Sequence, residues 1–408
     1  MTSIIRFARS CTMLGLALLI FPALTFAQHY IQTNLITDAA TTAPNALFVD
    51  PHLKNPWGLA RSNGSPWWVN DNATGVATVY TGTPASGTPA LTVTIPGPMG
   101  SPADFVSSPT GMVNNGTSDF GGAHFIFVTE DGTISAWSSG PAAILKADNS
   151  ANPTSADGAV YKGATIGEFQ GKLYLYVANF RSGHIEVYDT NFNPVTLPGD
   201  DNDEFSHFGD WLLGNLFGRP FEDVQIPRGF APFNVQNIGG SLFVTYAKQD
   251  QSKHDNLAGA GLGFVDIYTP GGRLEARLQN GPWLNAPWGA VWAPRDFGAF
   301  SNRVLIGNFG SGQIAVFDGF DGKFIGFMED PNSNVIKIDG LWALMFGNSA
   351  IGCPSTAPTA PPADVGLPKC GASGPYNSLF FTAGPNGEAN GLFGTLTPIP
   401  AELTGDSE

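Results

Sequence analysis

A dense group of ionisable side chains of both signs lies in one segment, residues 247–262. It holds Lys248, Asp250, Lys253, His254 and Asp255. A histidine beside carboxylates can transfer protons or bind a metal, whereas in a solvated loop the same charges would pair with one another. Loops longer than about a dozen residues are uncommon unless they have a function. Both interpretations stay open at this point.

A second set of polar residues stands where apolar runs of the sequence end. It consists of Asp71, Glu130, Asn179 and Asn308. Their carboxylate and amide oxygens are ligands that calcium and other divalent cations accept, so side chains converging from several runs would form a metal site. Asp and Asn at strand ends also commonly bond to the backbone of their own turn. The sequence favours the turn interpretation and leaves calcium or another divalent cation as the alternative.

The sequence contains none of the common catalytic signatures. We find no Gly-x-Ser-x-Gly elbow, no His-Glu-x-x-His motif and no phosphate-binding glycine loop. No catalytic residue is therefore named, and the sequence favours a protein that binds over one that catalyses.

Short apolar runs that recur along the whole chain must position these groups. The first unit contains the runs 56–60, 67–69, 76–80 and 91–95, each bounded by turn residues. Four strands in about 40 residues, repeated, are typical of a β-propeller blade. Further copies follow, and the blades begin near residues 55, 108, 160, 230, 285 and 338. The sequence thus predicts an all-β, six-bladed β-propeller over residues 28–400 as a single domain.

The strand count also predicts how the ring closes. The last blade lacks a fourth strand at its C-terminal end, and the strand-like run 30–36 precedes the first blade without a blade of its own. We expect this N-terminal strand to complete the last blade, because an unclosed array would expose a sheet edge. The tryptophans Trp57, Trp288 and Trp342 recur in first strands, where we expect them to wedge neighbouring blades.

The candidate residues share one face of the predicted ring. In a propeller, the loops between second and third strands lie on the same face as the connections between blades, and ligands commonly bind there near the pore. We call it the loop face. The polar loops on it include 247–262 and the one that carries Arg181. We therefore expect ligand binding by Lys248, Asp250, His254, Asp255 and Arg181.

The two ends and the cysteines indicate an exported protein. Residues 1–27 have two arginines, an apolar stretch and small residues near Ala27, which predicts a cleavable signal peptide. After cleavage Cys353 and Cys370 are left in one loop, and an exported pair so close in sequence favours a disulfide over two free thiols. Residues 401–408 are a short acidic tail. We expect a secreted or periplasmic location.

The net charge of −15 argues against nucleic acids and anionic membranes as ligands, because proteins bind both of them through Lys and Arg. We expect no nucleic-acid partner and no membrane span in the mature chain, and we expect a monomer. The charge is compatible with binding of a cation, a protein or a neutral glycan.

The order of features within each repeat resembles the NHL-type repeat: a Pro-x-Gly phrase, a strand that ends in Asn or Asp, and then a glycine turn. Longer phrases such as 55–60, 231–240 and 338–343 together resemble an uncharacterised family of exported bacterial proteins. The resemblance covers nearly the whole mature chain and implies a six-bladed propeller with no assigned reaction. Gluconolactonase-type propellers, which are similar in fold, hold a divalent cation at the pore with Glu, Asn and Asp.

Two functions follow as hypotheses. The first is an exported binding module that takes a protein or a glycan on the loop face around the pore. The second is a divalent-metal-dependent lactonase or hydrolase with its metal at the pore, and it depends on the acidic loop ends and the analogy of fold.

Overall fold

The structure is a computed structural model, and it describes residues 29–400 except 85, 153, 155, 198–219 and 350–370. The predicted signal peptide, the acidic tail, Cys353 and Cys370 lie outside the described residues, and those expectations stay predictions. The described helices are three 3-10 turns, Asn72–Thr74, Phe120–Gly122 and Gly298–Phe300. None of the described helices has the length and apolarity needed to cross a membrane.

In the described residues, twenty-six strands form six sheets, each of which is one blade. The described chain begins with β1 (Tyr30–Thr37) and β2 (Phe48–Val49). Blade one has β3 (Pro56–Ala60), β4 (Trp67–Asp71), β5 (Val76–Tyr80) and β6 (Leu91–Thr94). Blade two has β7 (Pro109–Asn114), β8 (Phe125–Thr129), β9 (Thr133–Trp137) and β10 (Ile144–Asp148). Blade three has β11 (Tyr161–Phe169), β12 (Lys172–Asn179), β13 (His184–Tyr188) and β14 (Pro194–Val195).

The second half of the ring repeats this pattern. Blade four has β15 (Phe230–Ile238), β16 (Ser241–Gln249), β17 (Asn256–Leu257), β18 (Gly263–Tyr268) and β19 (Leu274–Arg277). Blade five has β20 (Pro287–Trp292), β21 (Arg303–Asn308), β22 (Ile314–Asp318) and β23 (Phe324–Phe327). Blade six has β24 (Leu341–Phe346), β25 (Leu379–Ala383) and β26 (Leu392–Pro398). The predicted all-β, six-bladed fold is confirmed.

The N-terminal strand closes the ring, as the strand count predicted. Strand β1 pairs antiparallel with β26, from Tyr30 opposite Pro398 to Thr37 opposite Leu392. The first residue of β1, Tyr30, is buried. Its hydroxyl donates to the carbonyl oxygen of Phe297 in blade five at 2.8 Å. The short strand β2 adds a fifth, parallel strand to this sheet, which the sequence pattern did not reveal.

Small residues allow the first strands of neighbouring blades to pack closely around the axis. A Cβ on Gly111 would lie 2.6 Å from the Cα of Gly163, and one on Gly289 would lie 2.7 Å from the carbonyl oxygen of Trp342. Real Cβ atoms do not approach other atoms so closely. The glycine of the Pro-x-Gly phrase therefore belongs to the repeat for a steric reason, since each first strand touches the backbone of the next.

Candidate functional site

The residue before this glycine points toward the axis of the ring. The six equivalent positions, here called the channel layer, hold Trp57, Thr110, Lys162, Phe233, Trp288 and Trp342. The ring of Trp57 stacks on Trp342 with centroids 3.6 Å apart and lies edge-on to Phe233 at 6.4 Å. Blades one and four are not neighbours, so these rings meet across the channel. Trp57 and Trp342, and likewise Trp288 and Trp342, come from neighbouring blades and contact each other as expected, and the same rings also fill the channel.

Lys162 is the charged member of the channel layer. Its side chain is 1% exposed, its ammonium donates to the Glu130 carboxylate, and it lies 3.5 Å from Asp255 Oδ1. The ammonium also lies 4.9 Å from the ring centroid of Trp57 and 5.8 Å from that of Phe180. Burial of an ammonium is costly unless it is paired, and two carboxylates with two aromatic faces supply that pairing here.

The partners of Lys162 come from loops of two other blades. Glu130 lies in the turn between β8 and β9, and its Oε2 accepts a hydrogen bond from Asn72 at 2.9 Å. His254 and Asp255 lie in the loop after β16, with 3.0 Å between His254 Nδ1 and Asp255 Oδ1. Ligand atoms of Glu130, His254 and Asp255 all lie within 4.8 Å of one another. The loop face therefore gathers these side chains over the filled channel.

Asp250 holds the blade-four loop in shape. Its Oδ1 accepts the backbone N–H of His254 at 3.0 Å and that of Asp255 at 3.3 Å, and its Oδ2 accepts the hydroxyl of Ser252 at 2.6 Å. These bonds fold residues 250–255 into a tight turn that aims His254 and Asp255 at the axis. Asp250 thus positions the two residues rather than joining them.

His254 and Asp255 change each other's protonation in opposite directions. The hydrogen bond from His254 lowers the pKa of the Asp255 carboxyl to about 2. The same hydrogen bond raises the pKa of the His254 imidazole above its usual value. Their side chains are 38% and 68% exposed, respectively. The pair forms the solvent edge of the site, whereas Glu130 and Lys162 form its floor.

A further carboxylate borders the site from blade six. Glu388 Oε2 accepts a hydrogen bond from Asn55 Nδ2 at 2.7 Å, and Asn55 Oδ1 in turn accepts the indole N–H of Trp342 at 3.0 Å. Burial raises the pKa of the Glu388 carboxyl, so it keeps its proton to higher pH than a solvated glutamate. We call Glu130, Lys162, His254, Asp255 and Glu388 the pore-face cluster.

Two predicted ligand-binding residues have other partners. Lys248 donates to the carbonyl oxygen of Arg228 at 3.1 Å and lies 5.1 Å from the ring centroid of Phe230. Arg181 donates to the carbonyl oxygen of Gly158 at 2.8 Å. The structure gives neither residue a contact with the pore-face cluster among the described contacts, so their role in ligand binding stays a prediction.

Three of the predicted metal ligands form hydrogen bonds at the ends of their own strands. Asp71 is fully buried, accepts the Thr78 hydroxyl at 2.7 Å, and has a pKa raised by burial. Asn179 Oδ1 accepts the backbone N–H of Ser182 at 3.2 Å, and Asn308 Oδ1 accepts that of Asn285 at 2.8 Å. Asn179 thus bonds to the backbone of its own turn, and so does Asn308, which also donates to the Gln313 carbonyl oxygen at 3.2 Å, whereas Asp71 bonds to a side chain of the next strand. The fourth candidate, Glu130, is the one that joins the pore-face cluster.

Lys162 and Glu388 were missed from the sequence. Lys162 could have been found by aligning the six first strands, because a lysine stands where the other blades have tryptophan, phenylalanine or threonine. Glu388 carries no comparable signal, since it reads as one more polar residue in a glycine-rich turn.

A divalent cation fits this cluster poorly. Two carboxylates and an imidazole could ligate zinc or manganese, yet the Lys162 ammonium already contacts both carboxylates. An incoming cation would meet a like charge at the same oxygens, and no step of a reaction is assigned to a metal here.

Comparison with known sequences gives relatives without a known function. No family model matches the chain. An uncharacterised protein of Acanthamoeba polyphaga mimivirus is 34% identical over 235 residues, which are 57% of this chain and 39% of that protein. A second from the same virus is 28% identical over 335 residues, which are 78% of this chain and 73% of that protein. These relatives do not support the expected bacterial exported family.

Solved structures with similar chains are distant in sequence. A streptogramin B lyase is 10% identical with a TM-score of 0.45, covering 91% of this chain and 98% of its own. A protein of unknown function from Bacteroides thetaiotaomicron is 10% identical with a TM-score of 0.47, covering 85% of this chain and 70% of its own. We infer no activity from similarities at this level.

Proposed function

We propose that this chain is an exported binding protein that takes a carbohydrate on the loop face, over the pore-face cluster. The observation that carries the proposal is the convergence of hydrogen-bonding side chains from four blades at one channel mouth. Glu130, Lys162 and the His254–Asp255 pair come from blades two, three and four, and Glu388 comes from blade six. Such a set offers both donors and acceptors to hydroxyl groups.

An aromatic ring lies beside these polar groups. Phe309, in the turn after β21, is partly exposed and stacks on Trp342 with centroids 3.9 Å apart. Trp342 is linked through Asn55 to Glu388. A flat apolar ring next to a few placed polar groups is a common composition of small-ligand sites, and a sugar presents an apolar face and a polar rim to it.

The size and charge of the site favour a sugar over a protein partner. The ionisable groups surround one channel mouth, whereas a stable protein interface needs about 800 Å² from each partner. With three carboxylates, one ammonium and one imidazole, the cluster is not cationic enough to attract an anionic polymer. The signal-like residues 1–27 support export, which would expose the protein to extracellular glycans.

A glycan array with tagged residues 28–408 tests this function, and D255N and E130Q locate the site. We expect wild-type protein to retain a defined set of glycans and each variant to lose about tenfold in affinity or more, because a hydrogen bond to a charged group is removed. D321N is the matched control, since Asp321 lies in the turn between β22 and β23 on the opposite face.

Two results would overturn the proposal. Retention of the same glycans by D255N and E130Q at wild-type affinity would place binding elsewhere. Retention of no glycan, together with turnover of a small ester or lactone, would favour the hydrolase hypothesis instead.

A further inference from the structure

The buried side of the pore-face cluster is formed by a basic side chain, that of Lys162. Lys162 occupies a position at which the five other blades have uncharged residues. Its side chain is 1% exposed, and the carboxylate of Glu130 beside it is 12% exposed. Burial of a lysine at such a position requires acidic partners in contact with its side-chain nitrogen.

The partners of Lys162 are two of the three residues that could ligate a metal. The ammonium contacts Glu130 and Asp255, and these two with His254 form the one group of three histidine, cysteine or acidic side chains that converge closely enough for an ion in the described part of the chain. A divalent cation and the ammonium would therefore compete for the same oxygens.

We propose that Lys162 takes the place of a divalent cation at this pore, so that the wild-type site works without metal. The positive charge that holds Glu130 and Asp255 over the channel is then the side chain of Lys162 in blade three, and not a bound metal ion. Removal of that charge leaves Glu130, His254 and Asp255 as an unoccupied ligand set, so Lys162→Met should create a site for zinc or manganese. This inference does not depend on the carbohydrate proposal.

Thermal melts of wild type, K162M and the double variant E130Q/K162M test it, each with chelator and with added Zn²⁺, Mn²⁺ or Ca²⁺. Wild type should melt at the same temperature in all conditions. K162M should melt about 4–6 °C lower in chelator, because an unpaired buried carboxylate remains. Zn²⁺ or Mn²⁺ should restore part of this loss, since a ligand that binds only the folded state stabilises it.

The double variant and an opposite-face variant are the controls. E130Q/K162M should fold but gain no stability from metal, because one ligand carboxylate is gone. K323M should respond as wild type does, since Lys323 pairs with Asp321 in an exposed turn on the other face.

Calorimetric titration and elemental analysis of wild-type protein purified without chelator complete the test. Stoichiometric metal in wild type, or a lower melting temperature in chelator, would overturn the proposal. So would a folded K162M that none of the cations stabilises. If K162M does not fold in any condition, the wild-type titration decides the question alone.

Discussion

The ring closure by β1 gives a prediction with a built-in control, because two isoleucines of the same strand have opposite environments. Ile36 is fully buried and faces Phe393 of β26 in the register. Ile31, five residues earlier, has 42% of its surface exposed. We therefore compare I36A with I31A, which remove the same atoms from one strand.

The expected difference follows from burial. Truncation of a buried isoleucine to alanine costs about 2–5 kcal/mol of unfolding free energy, whereas an exposed substitution stays within about 0.5 kcal/mol. The unfolding entropy of a chain of 408 residues is about 0.9 kcal/mol per kelvin at about 2.1 cal/mol/K per residue. I36A should therefore lower the melting temperature by about 2–6 °C and I31A by less than about 1 °C.

Thermal melts and urea unfolding of the two variants beside wild type measure this directly. If β1 completes blade six, I36A also shifts the urea midpoint in proportion to the lost free energy. Equal melting temperatures for I36A and I31A would show that the strand is not held against β26 in solution and that the ring closes in another way.

Three further predictions concern the packing and the buried charges. G289A should cost about 1–3 kcal/mol because its Cβ would meet a carbonyl oxygen 2.7 Å away, whereas G326A, which has nothing within 4 Å, should not destabilise in the same urea titration. The raised pKa of Asp71 means that the folded carboxyl keeps its proton to higher pH than the unfolded one, so wild type should lose stability relative to D71N as pH rises above about 4; parallel curves would contradict this. D255N should lower the pKa of His254 toward its usual value because the raising hydrogen bond is lost, as an NMR titration would show; an unchanged pKa would refute the pairing.

The pH range of the last prediction follows from the two shifts together. The raised pKa of His254 means that the pair stabilises the fold at low pH and loses that contribution as pH rises through the folded pKa. The lowered pKa of Asp255, about 2, means that its contribution is present above the unfolded pKa and is lost as pH falls toward 2. The pair therefore contributes most between about pH 4 and 6.5, and D255N should flatten this profile.

Most of the fold could be predicted because the first three strands of each blade carry strong local signals. Apolar runs such as 125–129 and 303–308 are bounded by turn residues and coincide with β8 and β21. The outer strands were harder to predict. The residues of β14 and β19 are intermediate or exposed, so these short outer strands have little buried apolar surface to reveal them in the sequence. Strand β2 has two residues, too few for any periodic signal.

The site was predictable to the extent that it lies in loops with unusual composition. The segment 247–262 contains more ionisable residues than the other loops between second and third strands, and two of them, His254 and Asp255, lie in the pore-face cluster. Two of its other charged residues have different roles: Asp250 shapes the turn, and Lys248 donates a hydrogen bond to the backbone of a neighbouring loop. Composition therefore located the loop, but it could not assign roles within it.

The partners of Lys162 could not be predicted from the sequence of its own blade. A lysine in a strand is ordinarily a solvated residue at a sheet edge, and nothing local to blade three contradicts that interpretation. Its burial is tolerable only because Glu130 and Asp255, which are 32 and 93 positions away in the sequence, come within reach of its ammonium when the ring is assembled. The charge of the channel layer and the acidity of the loop face are thus one electrostatic arrangement, and neither part can be interpreted without the other.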